Sequence, residues 1–295
     1  MLKRILVVGI ILMLFFSGFT ITLGHHEADN TIYVDDDNID GPWDGSLEHP
    51  YRMIQDAINV SYNEDIIMVE CGVYRENILL NKSIHLKGKD RYNTIIESRS
   101  KLPRNDTIRI YANNVTITGF TIQNSPRCGI FLAASYLDIN NNILFNNSHG
   151  IHFYLSNNHV YISNNTIYHN YCGIYLVSCK NDTISNNNIF SNDFGMRISY
   201  SNTNMIIKNN IESNTVYGIY LFENSRDNSI YNNNFINNSK SAYFNLFSFG
   251  TIWDGNYWDE PRDKPVLIFG SIGLIFIPWI NIDQHPASEP FDIGG

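Results

Sequence analysis

Short alternations of apolar and polar residues recur along most of this chain. Gly173-Ile174-Tyr175-Leu176, Asp182-Thr183-Ile184-Ser185 and Asn188-Ile189-Phe190 form one such set. A period of two is the mark of a strand with one buried face. The sets themselves repeat. A glycine followed by an apolar residue stands at Gly129-Ile130, Gly150-Ile151, Gly173-Ile174, Gly195-Met196 and Gly218-Ile219, at intervals of 21, 23, 22 and 23 residues. Ala242-Tyr243 continues the series 24 residues later. Asparagine pairs keep step at Asn141-Asn142, Asn164-Asn165, Asn187-Asn188, Asn209-Asn210 and Asn233-Asn234.

A repeat of about 22 residues without the leucine signature of leucine-rich repeats predicts one coil of a parallel β-helix, three short strands joined by tight corners. The predicted fold is all-β: a right-handed parallel β-helix of about eight coils, stacked about 4.8 Å apart. The inside row after each glycine is Ile130, Ile151, Ile174, Met196, Ile219 and Tyr243; two residues on it is Leu132, Phe153, Leu176, Ile198, Leu221 and Asn245. The polar Asn245 places the end of the coils there. Asparagine suits the corners because it tolerates left-handed backbone, and stacked amides can form ladders. Tyr51–Val60, after Pro50, has helical apolar spacing and predicts a lid over the first coil. The expected organisation is an export signal over 1–24, an entry loop and cap over 25–64, coils over 65–250, and a C-terminal cap over 251–295. The apolar run Val266–Ile280 is interrupted by Gly270, Gly273 and Pro278 and reads as buried strand.

The export reading rests on Lys3 and Arg4 ahead of the apolar Ile5–Phe16 and on small residues before His25. The alternative is an uncleaved anchor, the one expected route to a membrane. Four cysteines in an exported chain permit disulfides. The formal charge is −9, which argues against a nucleic-acid partner. Charged residues are 17%, against about 25% in ordinary soluble domains, so surface polarity must come from amides and hydroxyls, which suit sugars.

The outward row next to the glycines is Phe131, His152, Tyr175, Arg197, Tyr220 and Phe244, with Tyr154 and Phe222 two residues further on. It predicts a stripe of exposed rings roughly 24 Å long, on which a polysaccharide or cell-surface glycan can stack. The competing reading is a ladder that only stabilises cross-strand packing. Catalysis would need placed carboxylates, and the acids of the coils fall at different repeat positions. Arg197 with His152 is the nearest approach to a lyase or epimerase pair. Cys128, His149 and Cys172 precede three successive glycines and offer soft ligands for copper or zinc. Asp36, Asn38, Asp40 and Asp44 match the first half of a calcium loop.

The coils resemble those of the NosD-like family, grouped with carbohydrate-binding and sugar-hydrolase β-helix domains. The resemblance is carried by Tyr33-Val34-Asp35-Asp36-Asp37, Ile54-Gln55-Asp56-Ala57-Ile58, Gly72-Val73-Tyr74-Arg75-Glu76-Asn77-Ile78 and Lys82-Ser83-Ile84-His85-Leu86-Lys87-Gly88. Gly255-Asn256-Tyr257-Trp258 resembles a closing motif of archaeal surface members. The resemblance implies the β-helix fold. It leaves several roles open: copper handling, sugar modification such as alginate epimerisation, or a structural surface protein.

Overall fold

The computed structural model describes residues 30–99, 102, 105–155, 159–274 and 277–293. The expected export signal and anchor lie outside the described residues. Strands stack in three columns. Nine strands from Gly72–Arg75 to Tyr257–Trp258 make one column, and the other two merge into a 20-stranded sheet. Successive coils pair in parallel, and parallel crossovers wind right-handed. Nine stacked strands agree with the expected β-helix of about eight coils.

Register holds like over like. Ile130 lies against Ile151, Ile151 against Ile174, Ile174 against Met196, and Met196 against Ile219. These residues are fully buried, as are Leu132, Phe153, Leu176 and Ile198. The glycines serve close approach. A Cβ on Gly150, Gly173 or Gly195 would lie 2.6 Å from the carbonyl oxygen of the next glycine, so no side chain fits.

The last repeat corrects the expected register. Ala242, not Tyr243, pairs with Ile219; Tyr243 pairs with Tyr220, and Phe244 with Leu221. Ser241 holds the glycine position, its carbonyl 2.5 Å from a Cβ on Gly218. Phe244 therefore fills the core, and the coils continue past Asn245. Ser241 conceals this, because Ala242-Tyr243 imitates the pattern of a small residue before an apolar one.

The corners form the expected amide ladders. Each backbone N–H of Asn142, Asn165, Asn187, Asn209 and Asn233 donates to the side-chain oxygen one coil on, at 2.9–3.0 Å. The ladder ends on buried Asp283, which accepts from Asn256 N–H and Trp258 Nε1, both at 3.0 Å. A second ladder runs through Asn147, Asn170, Asn192, Asn214 and Asn238. The preceding residues Asn141, Asn164, Asn186 and Asn232 have φ of 53–56°, the left-handed backbone anticipated for corners.

The first helix is shorter than its pattern, Ile54–Val60, because Met53 is extended. Its first amides, Ile54 and Gln55, donate to the buried Glu76 carboxylate at 2.8 and 3.0 Å. Burial raises the Glu76 pKa. At the other end, Val266–Ile272 and Ile277–Asp283 form an antiparallel hairpin. The sequence reads this run as buried, but Phe269 is 61% exposed, Trp279 50% and Leu274 77%. Only Ile268 and Ser271 of the strand Val266–Ile272 reach full burial, because the last coil has one face left to cover and the hairpin has two. No described helix is long and apolar enough to cross a membrane.

Candidate functional site

The outer face of the glycine strands collects most of the ring side chains singled out in the sequence. Phe131, His152, Tyr175, Arg197 and Tyr220 are neighbours in register. The row also extends both ways. Arg109 pairs with Phe131 at one end, and Tyr243 follows Tyr220 at the other. Pairing of Phe244 with Gly270 puts Phe269 beside Tyr243. This end of the row opens into a cleft of about 630 Å³ lined by Lys240, Tyr243, Asp259, Arg262 and Phe269, among others.

Residues before the glycines join the same face. The His149 ring stacks 5.4 Å from His152 and 5.6 Å from Tyr175, and Tyr217 stacks 5.1 Å from Tyr220. Residues three apart in a regular strand point to opposite faces, so the strand turns at the glycine. Phe194, Tyr217 and Lys240 thereby enter a face from which the alternation excludes them. The one sequence signal was the glycine itself.

The rings spend their faces on one another. His152 and Tyr175 lie 4.9 Å apart with planes 14° from parallel, and Tyr220 and Phe222 lie 4.8 Å apart at 14°. Stacked in this way they cover one another's faces, and the Tyr220 hydroxyl accepts from Asn245 Nδ2 at 2.9 Å. Three members of the expected exposed stripe do not fit it: Phe131 and Phe222 are each only 7% exposed, and Phe244, in the core, 1%. Phe131 is covered by Arg127 at 5.1 Å and by Tyr154 at 6.4 Å; Phe222 packs on Tyr220 and under Arg197. Tyr154, 45% exposed, is the most open ring of the expected stripe. A further outward ladder, Phe145, Tyr168 and Phe190, stacks at 5.0–5.1 Å on another column.

Charge is handled differently along the face. Buried Asp106 takes Arg109 Nε at 2.8 Å and Arg127 Nη1 at 2.9 Å. The Arg197 guanidinium instead lies among three rings, 4.8 Å from Tyr175, 5.1 Å from Phe194 and 4.9 Å from Phe222. Its Nε is buried with no hydrogen-bond partner, as is Nε2 of His152. Burial pushes both His149 and His152 down to about 4, with nearby positive charge and the paired imidazoles adding to the effect. Both rings are therefore neutral near pH 7.

The soft-ligand register is real in the backbone and dispersed in the side chains. Cys128, His149 and Cys172 are adjacent in register. The Cys128 thiol, however, meets His152 Nδ1 at 3.6 Å, while the Cys172 thiol donates to Ile174 O at 3.4 Å. His149 is occupied in ring stacking. Burial pushes Cys172 up to about 12 and raises Cys128 as well, so both are thiols rather than thiolates. All four cysteines are free.

The acidic entry loop is likewise committed to its own backbone. Asp36 accepts from Val73 N–H at 3.0 Å, Asn38 donates to Pro50 O at 2.7 Å, and Asp44 accepts from Ser46 N–H at 2.9 Å. The Ser46 hydrogen bonds lower the Asp44 pKa. Asp40 is exposed. Among the described residues no three His, Cys, Asp or Glu side chains gather to hold a metal. The donors present do not fit a copper or calcium cage.

No curated protein matches the chain. Among solved structures, the mannuronan C-5 epimerase AlgE4 A-module of Azotobacter vinelandii is similar, at 16% identity and a TM-score of 0.53, covering 76% of this chain and 78% of that one. The pectate lyase Pel9A matches at 15% identity and 0.49, covering 78% and 80%. A carrot pectin methylesterase matches at 14% and 0.45, covering 75% and 82%. The first of these likenesses supports the β-helix fold. Residues 59–263 match the family model described as periplasmic copper-binding protein (NosD), and by that match over most of its length the chain belongs to the NosD family.

Proposed function

We propose that this protein is an exported module that binds polysaccharide along the outer face of its glycine strands. The observation that carries the proposal is the continuous stacked column from His149 and His152 through Tyr175, Arg197 and Tyr220 to Tyr243. It runs along the helix axis, as a linear polymer would lie. Because the rings stack on each other, recognition comes from hydrogen-bonding edges rather than from rings laid on sugar faces; Tyr154 is the exception. The fold likeness to a mannuronan epimerase supports a sugar polymer as the partner. Periplasmic placement of the family is in keeping with export.

The test is migration of the purified protein through native gels cast with a panel of polysaccharides. Retardation by at least one polymer is expected, and it should be lost in Tyr175→Ala plus Tyr220→Ala while the far-ultraviolet circular dichroism is kept. Free migration on every polymer would overturn the reading.

A further inference from the structure

We infer that the polymer is carboxylated, a polyuronate, and that Arg197 is the residue that takes its carboxylate. The inference rests on the polysaccharide reading above and names its substrate class. This face carries Arg109, Arg127, Arg197 and Lys240 in a chain whose formal charge is −9. Concentrating cations on one face of an acidic protein steers an anion to it.

The cations are not equivalent. Arg109 and Arg127 are answered by Asp106 within the fold. No described carboxylate lies within ion-pair reach of Arg197. The strands on either side present Tyr175, Tyr220 and Phe222, and one coil beyond Tyr175 stand His149 and His152, both held neutral by burial. Glu223, on the neighbouring coil, is engaged by the Ser199 hydroxyl at 2.6 Å. Three rings cover the guanidinium, and its buried Nε has no partner. A planar guanidinium fenced in this way is preorganised, and its remaining N–H fork matches a carboxylate in two parallel hydrogen bonds. The desolvation cost is already met in the free protein, which favours binding.

A second cation lies further along the track. Lys240 sits 5.5 Å from the Tyr217 ring and 5.7 Å from Tyr243, at the mouth of the terminal cleft. It is two coils beyond Arg197, roughly 10 Å along the axis. A polymer with a carboxylate on successive sugars can reach both. A polyphosphate would call for a denser array of cations than two in this stretch.

The test compares polygalacturonate, the same polymer after reduction of its carboxyl groups, and inorganic polyphosphate, by calorimetric titration of the folded chain. Expected is binding of polygalacturonate that weakens with salt, and binding of the reduced polymer that is weaker by about tenfold or more. Arg197→Gln should lose about tenfold on polygalacturonate and nothing further on the reduced polymer. Arg197→Lys keeps the charge without the fork and should fall between. Lys240→Ala should lose about threefold, as for an exposed point charge. Equal affinity for the native and reduced polymers overturns the carboxylate assignment and leaves the polysaccharide reading standing. So does full affinity in an Arg197→Gln variant with unchanged melting temperature. Tighter binding of polyphosphate overturns it in favour of phosphate. Absence of binding to any sugar polymer overturns both readings.

Discussion

The corners of the coils and their outer face are built from the same repeat and obey different rules. At the corners one solution recurs: Asn142, Asn165, Asn187, Asn209 and Asn233 each accept from the coil before and donate onward. Every amide there is neutral, buried and satisfied. On the outer face the residue changes from coil to coil, Phe131, His152, Tyr175, Arg197 and Tyr220 in turn, before Tyr243 repeats Tyr220, and two polar atoms stay unpartnered. A position that a fold needs in every coil is filled the same way in every coil. A position that varies from coil to coil is free to serve something outside the fold.

Substitutions can break that contrast, and the largest effect belongs at a corner. Asn187→Ala removes donors to Ile162 O, Ser185 O and Asn209 Oδ1 and an acceptor for Asn165. Several buried groups are then left unpaired, and a loss of about 3 kcal/mol is expected in urea unfolding. An unchanged midpoint would mean that the ladder is ornamental.

Asp106→Asn is next. It strips the charge from the one buried acid that pairs with two arginines of the face. Both arginines still reach water, so the expected cost is about 2 kcal/mol by the same assay. The variant also sharpens the polymer test, because it removes a negative charge from beside Arg127 and should raise affinity for polygalacturonate.

A smaller effect depends on pH. The imidazoles of His149 and His152 titrate near 4 in the fold and near 6.5 in the unfolded chain. Between those values the unfolded chain binds more protons. Their contribution is therefore present above about 6.5 and is lost progressively as pH falls to about 4. Thermal melts should show this fall, and His149→Phe plus His152→Phe should flatten it. Arg197→Gln closes the series. It gives up ring contacts only, and stability should change by about 1 kcal/mol or less. A large loss of stability there would return Arg197 to the structural side of the comparison.

Much of the fold was legible in the sequence because a solenoid repeats its instructions. Ile151, Ile174 and Ile219 announce the inside row, and the asparagine pairs announce the corners. Legibility failed where an instruction was given once. Ser241 replaces glycine a single time, and the register slipped by one residue. Val266–Ile280 has the composition of buried strand, yet nothing local says that a terminal hairpin has only one neighbour. The candidate site was legible as a row and illegible as a surface. Tyr175, Arg197 and Tyr220 followed from alternation; Phe194, Tyr217 and Lys240 did not, because the turn at each glycine breaks alternation.

Sequence alone determined the coil, its period, its inside row and its asparagine corners, since each follows from spacing and from the backbone preferences of single residues. Only the tertiary structure decided which side chains meet. It turned Cys128 toward His152 rather than toward a shared metal, buried Phe131 and Phe222 beneath their neighbours, answered Arg127 with Asp106 and left Arg197 among rings. The physical reason is that period fixes where a Cα lies along a coil. The direction, burial and charge balance of a side chain depend on what the coils above and below place beside it.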